Sequence, residues 1–400
     1  MGRSVTLALV NRAGTALGTL PAFEVATPWW QTVWDVVAGA RAAFGIDVVV
    51  LRLLTTEPSR WPGSAVSYLA EYDGPPPAQL IPPPAHTDWT EPAPHRMAWA
   101  HPGGPAQSLA WARTVLGKHD IAETGPPVQH RAWNLSTIWR LDTTQGPVWL
   151  KQVPGFAAHE ATVLRLLGER FPGLVPELLG EQAGRSLMRD VPGRDGYDAT
   201  QGDVREMLDD LLTVQAVMTG QTAELLDRGV PDRRAEALLP LIRATVDDLL
   251  PELTPGERDT VTRLVDGLPA RLADVSACGV PDTLVHGDFH PGNVRLDGGN
   301  RVILDWGDSV VGHPALDLKA LLERVDARHH PALREQWCAR WRAAVPGCAP
   351  ERAFDLMRPV NLLRAAVVYR EFLAAIEPSE QPFHAADPLN YLREVARLPR

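Results

Sequence analysis

The sequence predicts an α+β chain in three parts: a small α/β module, a β-rich lobe and a helical lobe. Three observations carry that prediction. Apolar residues alternate along residues 3–20 and again along 128–153, the period of half-buried strands. Beyond about residue 200 they recur instead at three- and four-residue intervals, the period of amphipathic helices. Between the first two β-rich stretches lie "GPPPAQLIPPPAH" and "HPGGP", within residues 74–105, too rich in Pro and Gly for a regular element. The expected parts are therefore 1–100, a module with a proline-rich strap; 101–190, a β lobe; and 191–400, a helical lobe.

In the module, "SVTLALVNRAGTALGTLPAF" reads as a hairpin turning at Asn11 to Gly14. Pro28 opens a helical pattern through Trp30, Val33, Trp34, Val37 and Ala40, which Gly45 closes as a C-cap. Strands are expected at Ile46 to Leu54 and Ser64 to Tyr72, a short helix at Ala106 to Leu116, strands from Val128 to Val153, and a helix from about Phe156 to Leu167. "GRSLMRDVPG" adds a strand that ends in a Pro-Gly break. Three helical faces follow: Val204, Leu208, Leu211, Leu212 and Met218; Leu238, Leu239, Ile242, Val246 and Leu249; Val261, Leu264, Val265, Leu268 and Leu272. Ten of the 13 tryptophans precede residue 150, which suits the burial of an apolar interface between module and β lobe better than a ligand-stacking surface.

A net charge of −10 and a pI of about 5.7 argue against a nucleic-acid or membrane-surface partner, since both demand a basic face. Cys278, Cys338 and Cys348 are odd in number and lack CxxC spacing, so neither a disulfide framework nor a zinc site is expected. The opening "MGRSVTLALVNRAG" lacks a leader-like apolar core, and no apolar run reaches the roughly 18 residues of a membrane span. A soluble cytoplasmic chain, monomer or homodimer, is the expectation. Only Lys118, Lys151 and Lys319 interrupt an otherwise all-arginine set of cations, so each lysine is an unusual choice.

The most informative stretch is "LVHGDFHPGNVRLDGGNRVILDWGDS", Leu284 to Ser309, which reads as a short β-hairpin carrying two histidines, an asparagine and several aspartates. It admits three readings. Its polar residues are ordinary turn formers. His-x-Asp-x-His is also a ligand set for a metallohydrolase, although Pro291 and Gly292 break the strand behind His290 and no distal ligand cluster completes it. Finally, phosphoryl transfer needs a carboxylate for the acceptor hydroxyl and hard oxygen ligands for Mg2+; Asp288, Asn293 and Asp305 supply these types.

The segment resembles the catalytic and metal-binding loops of the aminoglycoside phosphotransferase family, relatives of the protein kinases. His286-Gly287-Asp288-Phe289-His290-Pro291-Gly292-Asn293 matches the family's catalytic motif, Asp305-Trp306-Gly307-Asp308 its metal-binding loop, and "GHPALDL" follows as in those enzymes. The resemblance implies a bilobal protein-kinase-like fold. It makes Asp288 the catalytic base, Asn293 and Asp305 the Mg2+ ligands, and His286, His290 and Asp317 supports of the loops. The nucleotide would be ATP or GTP. Upstream, Lys151 ends the strand of "PVWLKQV" and Glu160 follows in "FAAHEATVLRLL", the order of the phosphate-binding lysine and its helical glutamate. "RAWNLSTIWRL" stands where the phosphate-covering turn belongs, with Asn134, Ser136 and Thr137 as polar groups, yet holds no glycine. "SLMRDVPG" resembles the hinge, placing Met188, Arg189 and Val191 near the purine.

The module is similar to a Nudix-like fold, but "AGARAAFGI" has alanine and glycine where that family's helix carries metal-binding glutamates, which implies a non-catalytic cap. Family members phosphorylate hydroxyls of aminoglycosides, amino sugars, choline, homoserine, peptide antibiotics and maltose. Asp195, Asp198, Glu371 and His384, with Asp387, are candidate contacts to a small-molecule acceptor with an ammonium group, and the extra module favours an amino sugar or aminoglycoside. A neutral sugar, as in maltokinase-like enzymes, and a catalytically inactive kinase-like binding protein are the alternatives.

Overall fold

A computed structural model describes residues 2–56, 63–84, 86–182 and 184–398. The chain packs as two units that do not follow chain order. Unit 1 holds Met1–Ala158, Leu178–Asp190 and Leu373–Ala385; unit 2 holds His159–Glu177, Val191–Phe372 and Ala386–Arg400.

Unit 1 contains two sheets. The first, in the order β2-β1-β5-β4 with β3 also on β1, comprises β1 (Arg3–Val10), β2 (Ala16–Thr19), β3 (Phe23–Val25), β4 (Val49–Thr56) and β5 (Val66–Glu71). Helix α1 (Trp34–Phe44) packs on this sheet. It starts later than the sequence pattern suggests, because residues 28–33 are engaged elsewhere: Thr32 bridges Arg131, and Val33 donates its N–H to the His130 carbonyl at 3.0 Å. Gly45 closes α1 at φ 71°, where glycine escapes the Cβ clash of left-handed backbone. The proline-rich strap forms no long element before α2 (Gly104–Lys118).

The second sheet, β6-β7-β8-β10-β9, is antiparallel throughout: β6 (Val128–Trp133), β7 (Ser136–Leu141), β8 (Val148–Gln152), β9 (Leu178–Gln182) and β10 (Arg185–Arg189). The short edge strand β9, "LLGEQ", lacks the apolar alternation that marks a strand and escaped the sequence pattern. The two sheets are tied through Gln129, whose amide accepts from the Val50 N–H at 2.9 Å and donates to the Val50 carbonyl at 2.7 Å. A side chain thus satisfies the otherwise open backbone of an edge strand. Trp30, Trp99 and Trp139 are buried as expected of core fillers, whereas Trp29 and Trp34 are exposed.

Unit 2 begins with α3 (Glu160–Arg170), which starts at Glu160 because residues 155–157 form a separate 3-10 turn. Thr200 and Asp203 cap α4 (Gln201–Met218) reciprocally. The helical body continues through α5 (Thr222–Asp227), α6 (Ala235–Leu249), α7 (Pro255–Asp266) and α8 (Leu268–Ala277). The polar stretch is not one hairpin. Strand β12 (Thr283–Val285) pairs with β15 (Val310–Gly312), and between them in sequence β13 (Val294–Asp297) pairs with β14 (Asn300–Ile303), with β11 (Arg194–Asp195) on the far side of β13. Gly298 and Gly299 make the inner turn so tight that β14 closes on β13, leaving β12 to find β15. Helices α9 (Ala315–Leu322), α10 (His330–Ala344), α11 (Pro350–Leu373) and α12 (Asp387–Ala396) complete the chain. Among the described residues no helix is long and apolar enough to cross a membrane.

Candidate active site

The two nested strand pairs of unit 2 carry one loop, residues 286–293, and one turn, 305–308, held together by internal hydrogen bonds. Buried Asp317 on α9 takes the His286 N–H and the Gly287 N–H, one on each carboxylate oxygen, both at 2.8 Å. Gln215 of α4 donates a third bond to it at 2.8 Å. Burial raises the Asp317 pKa, while these amides and the nearby His286 and Arg364 pull it back. Gly287 has φ 90°, and a Cβ there would lie 2.1 Å from the Asp308 carbonyl oxygen, so only glycine lets the loop and the turn approach this closely.

The histidines spend their ring nitrogens on this scaffold. His286 Nδ1 accepts from the Asp288 N–H at 3.3 Å and its Nε2 bonds the Leu304 carbonyl at 2.8 Å, which sets the Nε2–H tautomer. His290 Nδ1 accepts from the Gly292 N–H at 3.0 Å, and its Nε2 faces the Asp288 carboxylate at 3.5 Å. Both lone pairs that a zinc ion would use are occupied. Among the described residues no group of three or more His, Cys, Asp or Glu is disposed to hold a metal by itself.

The Asp288 side chain is 47% exposed, in contrast to the buried groups that support it. Asn293 spends its amide nitrogen on the Asp288 carbonyl at 2.9 Å and lies 3.4 Å from its carboxylate, which leaves the amide oxygen as a hard donor. Asp305 adopts φ 61°, ψ 59°, a left-handed conformation that costs a non-glycine residue about 1 kcal/mol or more. The surroundings impose it: the Leu304 N–H donates to the Asn293 carbonyl at 2.8 Å, and the buried Trp306 indole donates to the Ile303 carbonyl at 3.1 Å. An amide oxygen and a carboxylate fit a hard divalent cation.

The remaining candidates are distributed between the units. In unit 1, Lys151 is buried on β8, paired across the ladder with Ser186 and Ile138. Met188 and Arg189 end β10, Arg189 lying 3.4 Å from the Gln145 amide oxygen. The Ser136 hydroxyl accepts from the Trp133 indole at 2.9 Å, and the Thr137 hydroxyl donates to the Arg131 carbonyl at 3.2 Å. His384 closes the segment 373–385. In unit 2, Glu160 is buried at the start of α3, Val191 is half-buried, Asp195 and Asp198 are exposed, and Glu371 is paired with Arg233 at 2.6 Å. Tyr369 stacks on Tyr391 with ring centroids 5.6 Å apart, within charge reach of Asp387, Asp288 and Asp308. Sequence reasoning missed Gln215 and this tyrosine pair. A lone glutamine on the apolar face of Leu211, Leu212 and Met218 was the available signal for the former.

A half-exposed aspartate on an amide-clamped loop, followed by an asparagine and a second aspartate, supplies the carboxylate and oxygen donors that a phosphotransferase of the kinase-like class needs. The chain belongs to the phosphotransferase enzyme family, whose profile matches residues 126–354, and it is a small-molecule phosphotransferase. It is similar in fold to a macrolide 2'-phosphotransferase type I (18% identity, TM-score 0.51, 71% of this chain and 96% of that one). It is likewise similar to macrolide 2'-phosphotransferase MphH from Brachybacterium faecium (18%, 0.50, 72% and 98%) and to a choline/ethanolamine kinase family protein from Mesorhizobium loti (18%, 0.50, 73% and 96%). No curated protein matches the chain.

Proposed function

We propose that the protein is a Mg2+-dependent kinase that uses ATP, or GTP, to phosphorylate a hydroxyl of an amino sugar or aminoglycoside. The observation that carries the reading is the contrast at Asp288: its carboxylate is half-exposed, while its supports His286, His290 and Asp317 are buried and hydrogen-bonded. In this reading Asp288 orients the acceptor hydroxyl and takes its proton, and the loop's rigidity keeps the carboxylate in place during transfer. Asn293 and Asp305 would hold the cation, which when bound neutralises charge on the triphosphate. Lys151 would meet the phosphates and Glu160 would orient it; Ser136, Thr137, Met188, Arg189 and Val191 would line the nucleotide.

Tyr369, Tyr391 and Asp387 support an acceptor with a flat apolar face and an ammonium group, since aromatic faces and carboxylates both attract cations. Glu371 is less suited to that task, being engaged by Arg233. The test is a panel of amino sugars, aminoglycosides, neutral sugars and amino alcohols with MgATP or MgGTP, read by product mass. One added phosphate on an amino sugar, abolished by Asp288→Asn, is the expected result. Phosphate on neutral sugars alone would replace the acceptor assignment, and no transfer to any acceptor would refute the enzyme reading.

A further inference from the structure

The turn from β6 to β7 has only two residues, Asn134 and Leu135, with Trp133 paired to Ser136. Asn134 at its tip is 5% exposed and is held on both its backbone and its side chain. Its N–H donates to both carboxyl oxygens of Glu380 at 3.0 Å, and its side-chain oxygen accepts from the Glu377 N–H at 3.2 Å. Both partners come from the segment 373–385, almost 250 residues further along the chain, and that segment is anchored in turn to the module and its strap. Buried Glu377 pairs with Arg96 at 3.2 Å and lies 3.9 Å from Arg52. The Phe383 ring stacks on Trp30 with centroids 5.0 Å apart, and Ile376 is fully buried.

We propose that Glu380 is a positioning residue for nucleotide binding: it locks the glycine-free turn into one conformation through the Asn134 amide, with the N-terminal module as its anchor. This rests on the reading above that the turn covers the phosphates. A flexible loop loses conformational entropy each time nucleotide binds, and a turn ordered in advance avoids that loss. The protonation state of Glu380 belongs to the device. Burial, assisted by the Glu377 carboxylate, pushes its pKa up to about 8 against the Asn134 bonds. Arg52 and Arg96 face Glu377 rather than Glu380, and Tyr68, with Arg3 and Asp35 beside it, is a further titratable neighbour. Near pH 7 the carboxyl is therefore mostly neutral and adds little repulsion to an anionic ligand at the turn. Ionisation above about pH 8 would place an anion beside the turn and repel phosphate.

The experiment uses the full chain with Glu380→Ala and Glu380→Gln, measuring MgATP affinity by calorimetry without acceptor, and KM and kcat with the best acceptor. Glu380→Ala should weaken MgATP binding and raise its KM about tenfold, leaving the acceptor KM within twofold. Glu380→Gln, which keeps an oxygen for Asn134, should restore most of that affinity. The wild-type KM for MgATP should climb between pH 7 and 9, and that of Glu380→Gln should stay flat. Equal MgATP affinity in wild type and Glu380→Ala overturns the proposal, as does a Glu380→Gln profile that climbs like the wild type; the second result decides the matter if the alanine variant does not fold. A wild-type chain that binds no nucleotide overturns both this proposal and the nucleotide reading beneath it. Nucleotide binding without transfer to any acceptor sinks only the kinase reading.

Discussion

Two turns of this protein are each held by a buried carboxylate that accepts backbone N–H groups, and they differ in how well that carboxylate is served. Asp317 takes two amides and the Gln215 side chain, with Arg364 adding favourable charge. Glu380 is served by one residue, Asn134, through its backbone N–H and its side chain, and has another carboxylate, Glu377, as its charged neighbour. Burial raises the pKa of both acids, but in the first arrangement several donors oppose that rise. The second leaves the acid protonated at neutral pH. The loop 286–293 is thus held by an acid with three donors, and the β6–β7 turn by an acid that is mostly protonated at neutral pH.

The sharpest way to separate Asp288, the proposed reacting group, from its clamp is Asp288→Asn. It should reduce kcat by about 10³-fold or more, with little change in Tm, because the side chain is half-exposed and its contacts to His290 and Asn293 are long, at 3.5 and 3.4 Å. Asp317→Asn should do the reverse in emphasis. Its amide nitrogen would confront a backbone N–H that now has a carboxylate oxygen, so we expect a stability loss of about 3 kcal/mol in denaturant unfolding, with activity falling as the loop loosens.

For the neutral clamp the sign of the pH dependence is informative. Glu380 holds its proton in the folded state up to about pH 8, whereas the unfolded acid loses it near its usual value of about 4.5. The folded state therefore binds more protons across that window, and stability falls as pH rises through it. Glu380→Gln cannot titrate, so its unfolding free energy should gain on that of the wild type from pH 5 to 8, by no more than about 1.4 kcal/mol per pH unit, and the gap should level off above. A constant gap would mean that Glu380 is ionised throughout, removing the contrast between the clamps. The smallest effect is expected for Gln215→Leu, which removes one of three donors to Asp317 and should cost about 1 kcal/mol.

The loop proposed to be catalytic was legible in the sequence because its residues are local. His286, Asp288, Asn293 and Asp305 fall within 20 residues, their spacing is set by a tight loop, and Gly287 marks the close approach to Asp308. Asp317 lies only 30 residues beyond Gly287. The strand pairing around the loop was less legible: Leu284-Val285 and Val302 to Leu304 both read as strands, but nothing local says that β12 joins β15 while β14 turns back on β13. Strand β9 was missed for want of alternation, and the start of α1 was displaced by a backbone bridge to β6, which competes with helix for the same N–H groups.

By itself the sequence determined the α+β class, the helical stripes of unit 2 and the resemblance to the phosphotransferase family, since apolar periodicity and short motifs act over a few turns of chain. Only the tertiary structure decided what holds the β6–β7 turn. Nothing near Asn134 announces Glu380, and an acidic residue in "AAIEPSEQPF" reads as solvated until folding buries it against an amide 246 positions away. Burial and hydrogen bonding to distant backbone are properties of the assembled core, and they set both the geometry of that turn and the charge of the acid that grips it.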